Sequence, residues 1–502
     1  MRASKGWIAV GALGVVALIA WAAQGAVRSS EPPVEDAGEP EQEVAAPIEV
    51  TVAPAAMPEH VRWIAVGGGA DPELNQISLE EDLLLAREVL GEGGVVLFAG
   101  GPGTRAVQVT DDGERGDPLR RELGDLLVPR GGRDARYQPA RLAMHGPATL
   151  DATVEALRAA LTDGDEPLLL WVAAHGDRGE LPAESTALLW GGTELDPKTI
   201  EETVASTESP RPLRMVITSC YAGGFAELAF DGLDPDRGAS PLDVCGFFAT
   251  SWDEEASGCD PSPDRASHEA WSIHVLEALR GRDRAGNDVR AELDLDHDGR
   301  VSLAEADARA RIAALSFDLP TSTSARLLRV IAPSEGPSAA VSMPEDEVVV
   351  RAIGERLDID GESDAQARLD ALARRQVELE AAIEARAEEA DEAWWAVVGE
   401  LLSRWPVLDD PWHPDFDATL VREADAIRAF LVRSEARARW LEAQDDLGAM
   451  QETEAALRVQ AAPLRRWLEA YESIALAGRL RASGGEAWAR YERMRACERG
   501  TW

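Results

Sequence analysis

From Val61 onward, short apolar runs alternate with segments whose apolar residues recur at helical spacing. Val61 to Gly69 (VRWIAVGGG) reads as a buried strand closed by glycines, and Ser78 with Glu81 forms a capping box for a helix over Leu79 to Leu90. Val95 to Ala99 predicts the next strand. A helix over Leu150 to Leu161 leads to Leu168 to Ala174, a run with no polar side chain that suits a central strand covered on both faces. Further along, Leu213 to Ser219, Gly246 to Ser251 and Leu327 to Ile331 predict strands. Lys198 to Val204, His268 to Leu279 and Ser302 to Leu315 predict helices. This alternation implies an α/β domain: a mostly parallel sheet with helices on both faces, whose ligands bind beyond the carboxyl ends of the strands.

After a Pro, Ser and Gly stretch (Pro333 to Pro344) the strand pattern ends. Ala365, Leu369, Leu372, Gln376, Leu379 and Ile383 recur at alternating intervals of four and three, and Leu420 through Ser434 to Leu441 repeats the spacing. With Trp405 to Pro414 as a break, the expectation is an all-α C-terminal domain of two long helices and one or two shorter ones. Eight tryptophans fall in it (Trp394, Trp395, Trp405, Trp412, Trp440, Trp467, Trp488 and Trp502). They read mainly as core anchors, and a cluster on one helical face would suit a protein partner or self-association.

At the other end, Gly6 to Ala23 is uncharged and apolar, long enough to cross a bilayer as a helix. Arg2 and Lys5 precede it and an acidic segment follows Arg28, which places the body outside the cytoplasm. Small residues from Ala20 to Gly25 also permit cleavage as a signal peptide, although the apolar core is longer than such peptides usually carry. The expected organisation is an anchor or signal segment at 1–28, an acidic Pro-rich linker at 29–58, an α/β domain at 59–335, a linker at 336–360 and helices at 361–502. The location is the cell envelope, or the exterior if the first segment is cleaved.

Composition narrows the chemistry. With 91 acidic against 50 basic residues the net charge is −41, which excludes nucleic acid as a partner recruited by bulk charge. Lys5 and Lys198 are the only lysines, so Schiff-base and P-loop chemistry have little to work with. Four cysteines cannot form a disulfide scaffold; Cys245 and Cys259, flanking one strand, either pair or stay free.

Two reactive groups stand at carboxyl ends of predicted strands: His175 before Gly176, and Cys220 before Tyr221-Ala222-Gly223-Gly224. An imidazole can serve a thiol as base, and glycines permit close backbone approach, with the amides of Gly176 and Cys220 as oxyanion donors. Taken singly, Cys220 reads as a small buried hydrophobe and His175 as a ring bonded to loop carbonyls. Their joint placement favours the dyad.

Ala174-His175-Gly176 and Thr218-Ser219-Cys220-Tyr221-Ala222-Gly223-Gly224 resemble the motifs of the caspase-like cysteine peptidases, which include caspases, metacaspases and legumain. The resemblance covers roughly Val61 to Ile331. It implies that His175 is the base or proton donor and that Cys220 attacks a peptide carbonyl to form a thioester. It also implies that the strand after the nucleophile helps wall the specificity pocket, where this chain carries Asp253, Glu254 and Glu255. Metacaspases place an acid two residues before the nucleophile; here Thr218 stands there. The acidic run would favour Arg or Lys substrates, unless it is only a solvated face.

Asp294 to Glu305 matches the twelve-residue EF-hand calcium loop. Asp294, Asp296 and Asp298 supply carboxylates, Arg300 a carbonyl, Ser302 a hydroxyl or its water and Glu305 a bidentate carboxylate, with Gly299 at the sharp turn. The whole describes an exported, membrane-tethered cysteine endopeptidase that takes polypeptide substrates and binds Ca2+. The alternative is a catalytically silent, calcium-stabilised binding module of the envelope.

Overall fold

A computed structural model describes residues 55–110, 117–127, 135–208, 210–264 and 268–500. The expected membrane segment, most of the acidic linker and Trp502 lie outside the described residues. Among the described residues no helix is long and apolar enough to cross a membrane.

The chain opens with β1 (Trp63–Gly67), α1 (Ile77–Leu90) and β2 (Gly94–Phe98). A hairpin of β3 (Arg105–Thr110) and β4 (Ala135–Pro139) is interrupted by α2 (Pro118–Leu127). Next come α3 (Leu150–Leu161), β5 (Leu168–Ala173) and a small antiparallel sheet of β6 (Gly176–Asp177), β7 (Thr186–Leu189) and β8 (Thr193–Leu195). α4 (Pro197–Ser206), β9 (Leu213–Ile217), β10 (Val244–Phe248), α5 (Trp271–Arg280), α6 (Arg290–Leu293), α7 (Leu303–Ala313) and β11 (Thr321–Ser322) complete the α/β part. Only helices of more than one turn follow, apart from a short 3-10 turn: α8 (Thr323–Ile331), α9 (Pro344–Leu357), α10 (Glu362–Arg404), α11 (Phe416–Arg433), α12 (Glu435–Ser483) and α13 (Gly485–Arg499).

The main sheet has six strands in the order β11-β10-β9-β5-β1-β2, parallel except for the edge pair of β10 with β11. Side chains alternate between its faces, as a period of two requires. Trp63, Ala65, Leu169, Trp171 and Val216 join Leu83 of α1 and Val275 of α5 in one buried core. Ile64, Val66, Leu170, Val172 and Ile217 join Leu157 of α3 and Ile200 of α4 in the other. Both faces are thus covered, which is why Leu168 to Ala173 contains no polar side chain.

The mostly parallel sheet and the largely helical C-terminal region agree with the hydrophobic pattern; three local details differ. Leu327 to Ile331 is the end of helix α8 rather than a strand, since Leu327 and Leu328 bury one face of a helix capped by Ser322. Ser78 does not cap α1: Gln76 is the N-cap residue, and the Ser78 hydroxyl accepts from Asp260 N at 2.9 Å. The seam from Leu420 to Leu441 is not one helix, because α11 ends at Arg433 and α12 starts at Glu435.

Contacts divide the described chain into two units, and the division does not fall at 336–360. One unit takes residues 117–127 and 373–457. In it Leu119, Leu123 and Leu126 of α2 share a core with Val397, Ile427 and Trp440, and Trp394 Nε1 donates to Leu126 O at 2.7 Å. The other unit takes 55–110, 135–372 and 458–500, so the sheet shares its unit with the end of α12 and all of α13. A disulfide between Cys245 of β10 and Cys497 of α13 explains this grouping, as does Glu498, whose buried carboxylate accepts from Thr323 Oγ1 and Ser324 N at 2.9 and 2.7 Å. Cys245 therefore does not pair with Cys259, which is free like Cys220. Of the tryptophans, Trp440 and Trp467 are core residues, whereas Trp395 and Trp412 are 66% and 92% exposed.

Candidate active site

The strand order reverses at β1. From there the chain goes to β2 on one side and then returns to β5, β9 and β10 on the other. Crevices outside the carboxyl ends of strands open at such reversals. β5 and β9 pair in parallel with Val172 opposite Ile217, so His175 and Cys220, each three residues further on, leave neighbouring strands at the same level. The loops behind them touch. A Cβ on Gly176 would stand 2.3 Å from Cys220 O and 3.0 Å from Ser219 Cβ, so only glycine lets the two chains meet here. Gly223 is required for a similar reason, since its Cβ would lie 2.6 Å from Trp252 N. Both glycines thus serve packing between segments of this chain, a role the sequence had left to substrate approach.

The loop after β1 orients the histidine. His175 Nε2 lies 2.9 Å from Leu74 O and 2.8 Å from Gln76 Oε1. A carbonyl can only accept, so Nε2 carries the proton and Nδ1 keeps the lone pair a base needs. Burial lowers the pKa of His175, against the opposing effects of the Leu74 hydrogen bond and of Asp177 and Asp71. The ring is therefore neutral near pH 7.

Cys220 sits before Tyr221, whose φ of 58° is left-handed and uncommon outside glycine. Its Sγ accepts from Ala256 N at 3.3 Å and lies 3.7 Å from Ala256 O. Burial pushes the thiol up to about 12, nearby Cys259 adds to the shift, and the Ala256 N–H bond opposes it. The resting pair is thus neutral thiol with neutral imidazole, and catalysis would need His175 to take the proton as the sulfur attacks. In this conformation the Sγ bonds to the backbone of Ala256. The two amides expected to bind an oxyanion, those of Gly176 and Cys220, belong to these two touching segments; the neighbouring Tyr221 amide donates to Glu254 O at 2.9 Å.

Asp253, Glu254 and Glu255 follow β10 as expected, but all three are engaged. Asp253 accepts from Ser251 Oγ at 2.8 Å; Glu254 meets Arg465 at 2.6 Å and Glu255 meets Arg458 at 3.0 Å. These arginines come from α12, 203 and 211 residues away in sequence. Thr218, in the position where metacaspases carry an acid, donates its hydroxyl to Val172 O at 3.2 Å. The sequence reading missed Leu74, Gln76, Ala256, Arg458 and Arg465. Only the arginine pair left a trace, in its seven-residue spacing on one helix face.

In the acidic loop, carboxylate oxygens of Asp294, Asp296 and Glu305 converge within 4.8 Å of one another. Asp294 Oδ1 is buried without a hydrogen-bond partner, while Oδ2 accepts from Gly299 N at 3.0 Å. Glu305 is buried, its oxygens accepting from Leu295 N and from Ser302 N and Oγ. Asp298 is exposed and accepts from Arg300 N at 2.8 Å. Gly299, at φ 84°, makes the turn. An all-oxygen set with an orphaned buried carboxylate oxygen fits a hard divalent cation.

No protein-family model matches the chain, and no curated protein matches it. Among solved structures it is similar to the Drosophila initiator caspase Dronc, at 10% identity over 53% of this chain and 85% of that one, with a TM-score of 0.25. It is also similar to a protein from Geobacter sulfurreducens, at 12% identity over 53% of this chain and 92% of that one, with a TM-score of 0.28. The fold described above rests on strand order and register alone.

Proposed function

We propose that this protein is a caspase-like cysteine endopeptidase, with Cys220 as nucleophile and His175 as base. The observation that carries the reading is the convergence of both residues at the carboxyl ends of the paired strands β5 and β9, joined by the Gly176 contact. The proton position on His175 supports it, since Leu74 O holds the tautomer a base requires. In the reaction, Cys220 Sγ bonds to the scissile carbonyl carbon as its proton passes to His175. That proton then goes to the leaving amine as the peptide C–N bond breaks, and water hydrolyses the thioester. The test is cleavage of a diverse peptide library followed by mass spectrometry, with His175→Ala and Cys220→Ala beside the wild-type chain. Cleavage that depends on both residues supports the reading; no cleavage by folded protein, with the variants of the next section included, overturns it.

The acidic loop is read as a calcium site that braces α6 and α7, with Asp294, Asp296 and Glu305 as carboxylate ligands and Asp298, the Arg300 carbonyl and Ser302 completing the set. A lone loop should bind weakly, with Kd about 10⁻⁴ to 10⁻³ M as in extracellular modules. Calorimetric titration should show this binding, and Glu305→Gln should weaken it by about tenfold or more, because one oxygen of a bidentate ligand is lost. Absence of binding heat, or an unchanged Kd in the variant, would refute the site. The Cys245–Cys497 disulfide fits an oxidising compartment, in line with a body held outside the cytoplasm by the N-terminal apolar segment.

A further inference from the structure

The segment that leaves β10 lies against Cys220, a residue of intermediate exposure, at its sulfur. Both polar backbone atoms of Ala256 engage Cys220 Sγ, and Glu254 O receives the Tyr221 amide. The far end of this strap is pinned by Asp318, which accepts from Ser257 N and Ser257 Oγ, each at 2.6 Å. Its middle is pinned from outside the α/β part: Arg465 meets Glu254, Arg458 meets Glu255, and the Arg458 guanidinium also lies 4.0 Å over the Phe317 ring. Arg466, next along α12 and buried, fixes that helix by donating to the carbonyls of Arg311, Ala314, Ser316 and Asp318. All of these residues lie in one unit.

We infer that Trp252 to Ser257 is a closed cover over Cys220, latched by Arg458 and Arg465 of α12, so that the described conformation is a latent one. The inference deepens the peptidase reading and rests on Cys220 being its nucleophile. Three observations support it. The thiol's hydrogen-bonding partners are both strap atoms, burial disfavours the thiolate, and the strap's acids are held by a helix remote in sequence. Opening needs no covalent change: it parts the two ion pairs and the hydrogen bonds of Glu254 O and Ala256 to the Cys220 loop, with Ser257 held on Asp318 as the fixed end. The acids that follow β10 then hold the cover shut in the resting chain.

The test is the rate at which iodoacetamide labels Cys220 in the folded full chain without reductant, read by mass spectrometry of the peptides containing Cys220 and Cys259. Wild-type Cys220 should label slowly. The isosteric double variant Glu254→Gln with Glu255→Gln, and separately Arg458→Ala with Arg465→Ala, should each raise the Cys220 rate by about tenfold, the shift expected when two part-buried ion pairs are removed. Cys259 should stay slow in both, with the Cys245–Cys497 bridge intact. Equal Cys220 rates in all chains would overturn the latch. So would a parallel rise at Cys259, which marks general unfolding, or wild-type labelling as fast as a free thiol. Labelling requires no turnover, so the two readings fail separately. A faster thiol without cleavage keeps the latch and sinks the peptidase, whereas cleavage with unchanged labelling does the reverse.

Discussion

Replacing Cys220 by alanine should abolish peptide cleavage, lowering kcat/KM by about 10⁴-fold or more, because no other group can form the acyl intermediate. The comparison belongs in the latch-opened background, where the nucleophile is accessible. The pH dependence gives a second readout of the same chemistry. A base must be deprotonated to act, and burial holds His175 below the ordinary histidine pKa, so activity should persist below pH 6.5 before its acid limb falls. An acid limb above pH 6.5, or residual cleavage by the alanine variant within about tenfold of wild type, would contradict the dyad.

Loss of the Cys245–Cys497 disulfide should be the largest stability effect. It joins residues 252 apart, and closing a loop that long removes about 5 kcal/mol of unfolded-state entropy in the chain-entropy model, with native bridges delivering about 2 to 5. The paired variant Cys245→Ser with Cys497→Ser should therefore unfold about 3 to 7 °C lower than wild type in a calorimetric scan, since a unit of this size has a large unfolding entropy. Reductant should shift the wild type in the same direction and leave the variant unchanged. Identical melting of oxidised and reduced wild type would mean that α13 is held by packing alone, through Glu498 and the Arg214 Nε bond to Cys497 O.

Several features were readable in the residues. Leu168 to Ala173 announces a central strand because a strand buried on both faces has no position for a polar side chain. His175 and Cys220 were legible because each follows such a run directly, and parallel strands bring their carboxyl ends to one edge. The convergence of Asp294, Asp296 and Glu305 was legible because these carboxylates are local, at fixed offsets along twelve residues. The hairpin of β3 and β4 was not, since its strands are separated by α2 and by residues 111–134. The helix α8 was mistaken for a strand because five apolar-rich residues carry too little periodicity to distinguish the two.

What the sequence determined by itself is therefore local: strand and helix identity where burial imposes a period, the reactive residue types at two strand ends, and the spacing of the acidic loop. Tertiary structure decided the pairings that span long stretches of chain. Leu74 O reaches His175 across 101 residues, Cys245 finds Cys497 rather than Cys259, and Arg458 and Arg465 take Glu254 and Glu255 from solvent. No periodicity encodes such partners, because a carboxylate or thiol has the same local sequence whether free or paired. Their choice depends on which surfaces the packed helices bring within hydrogen-bond distance.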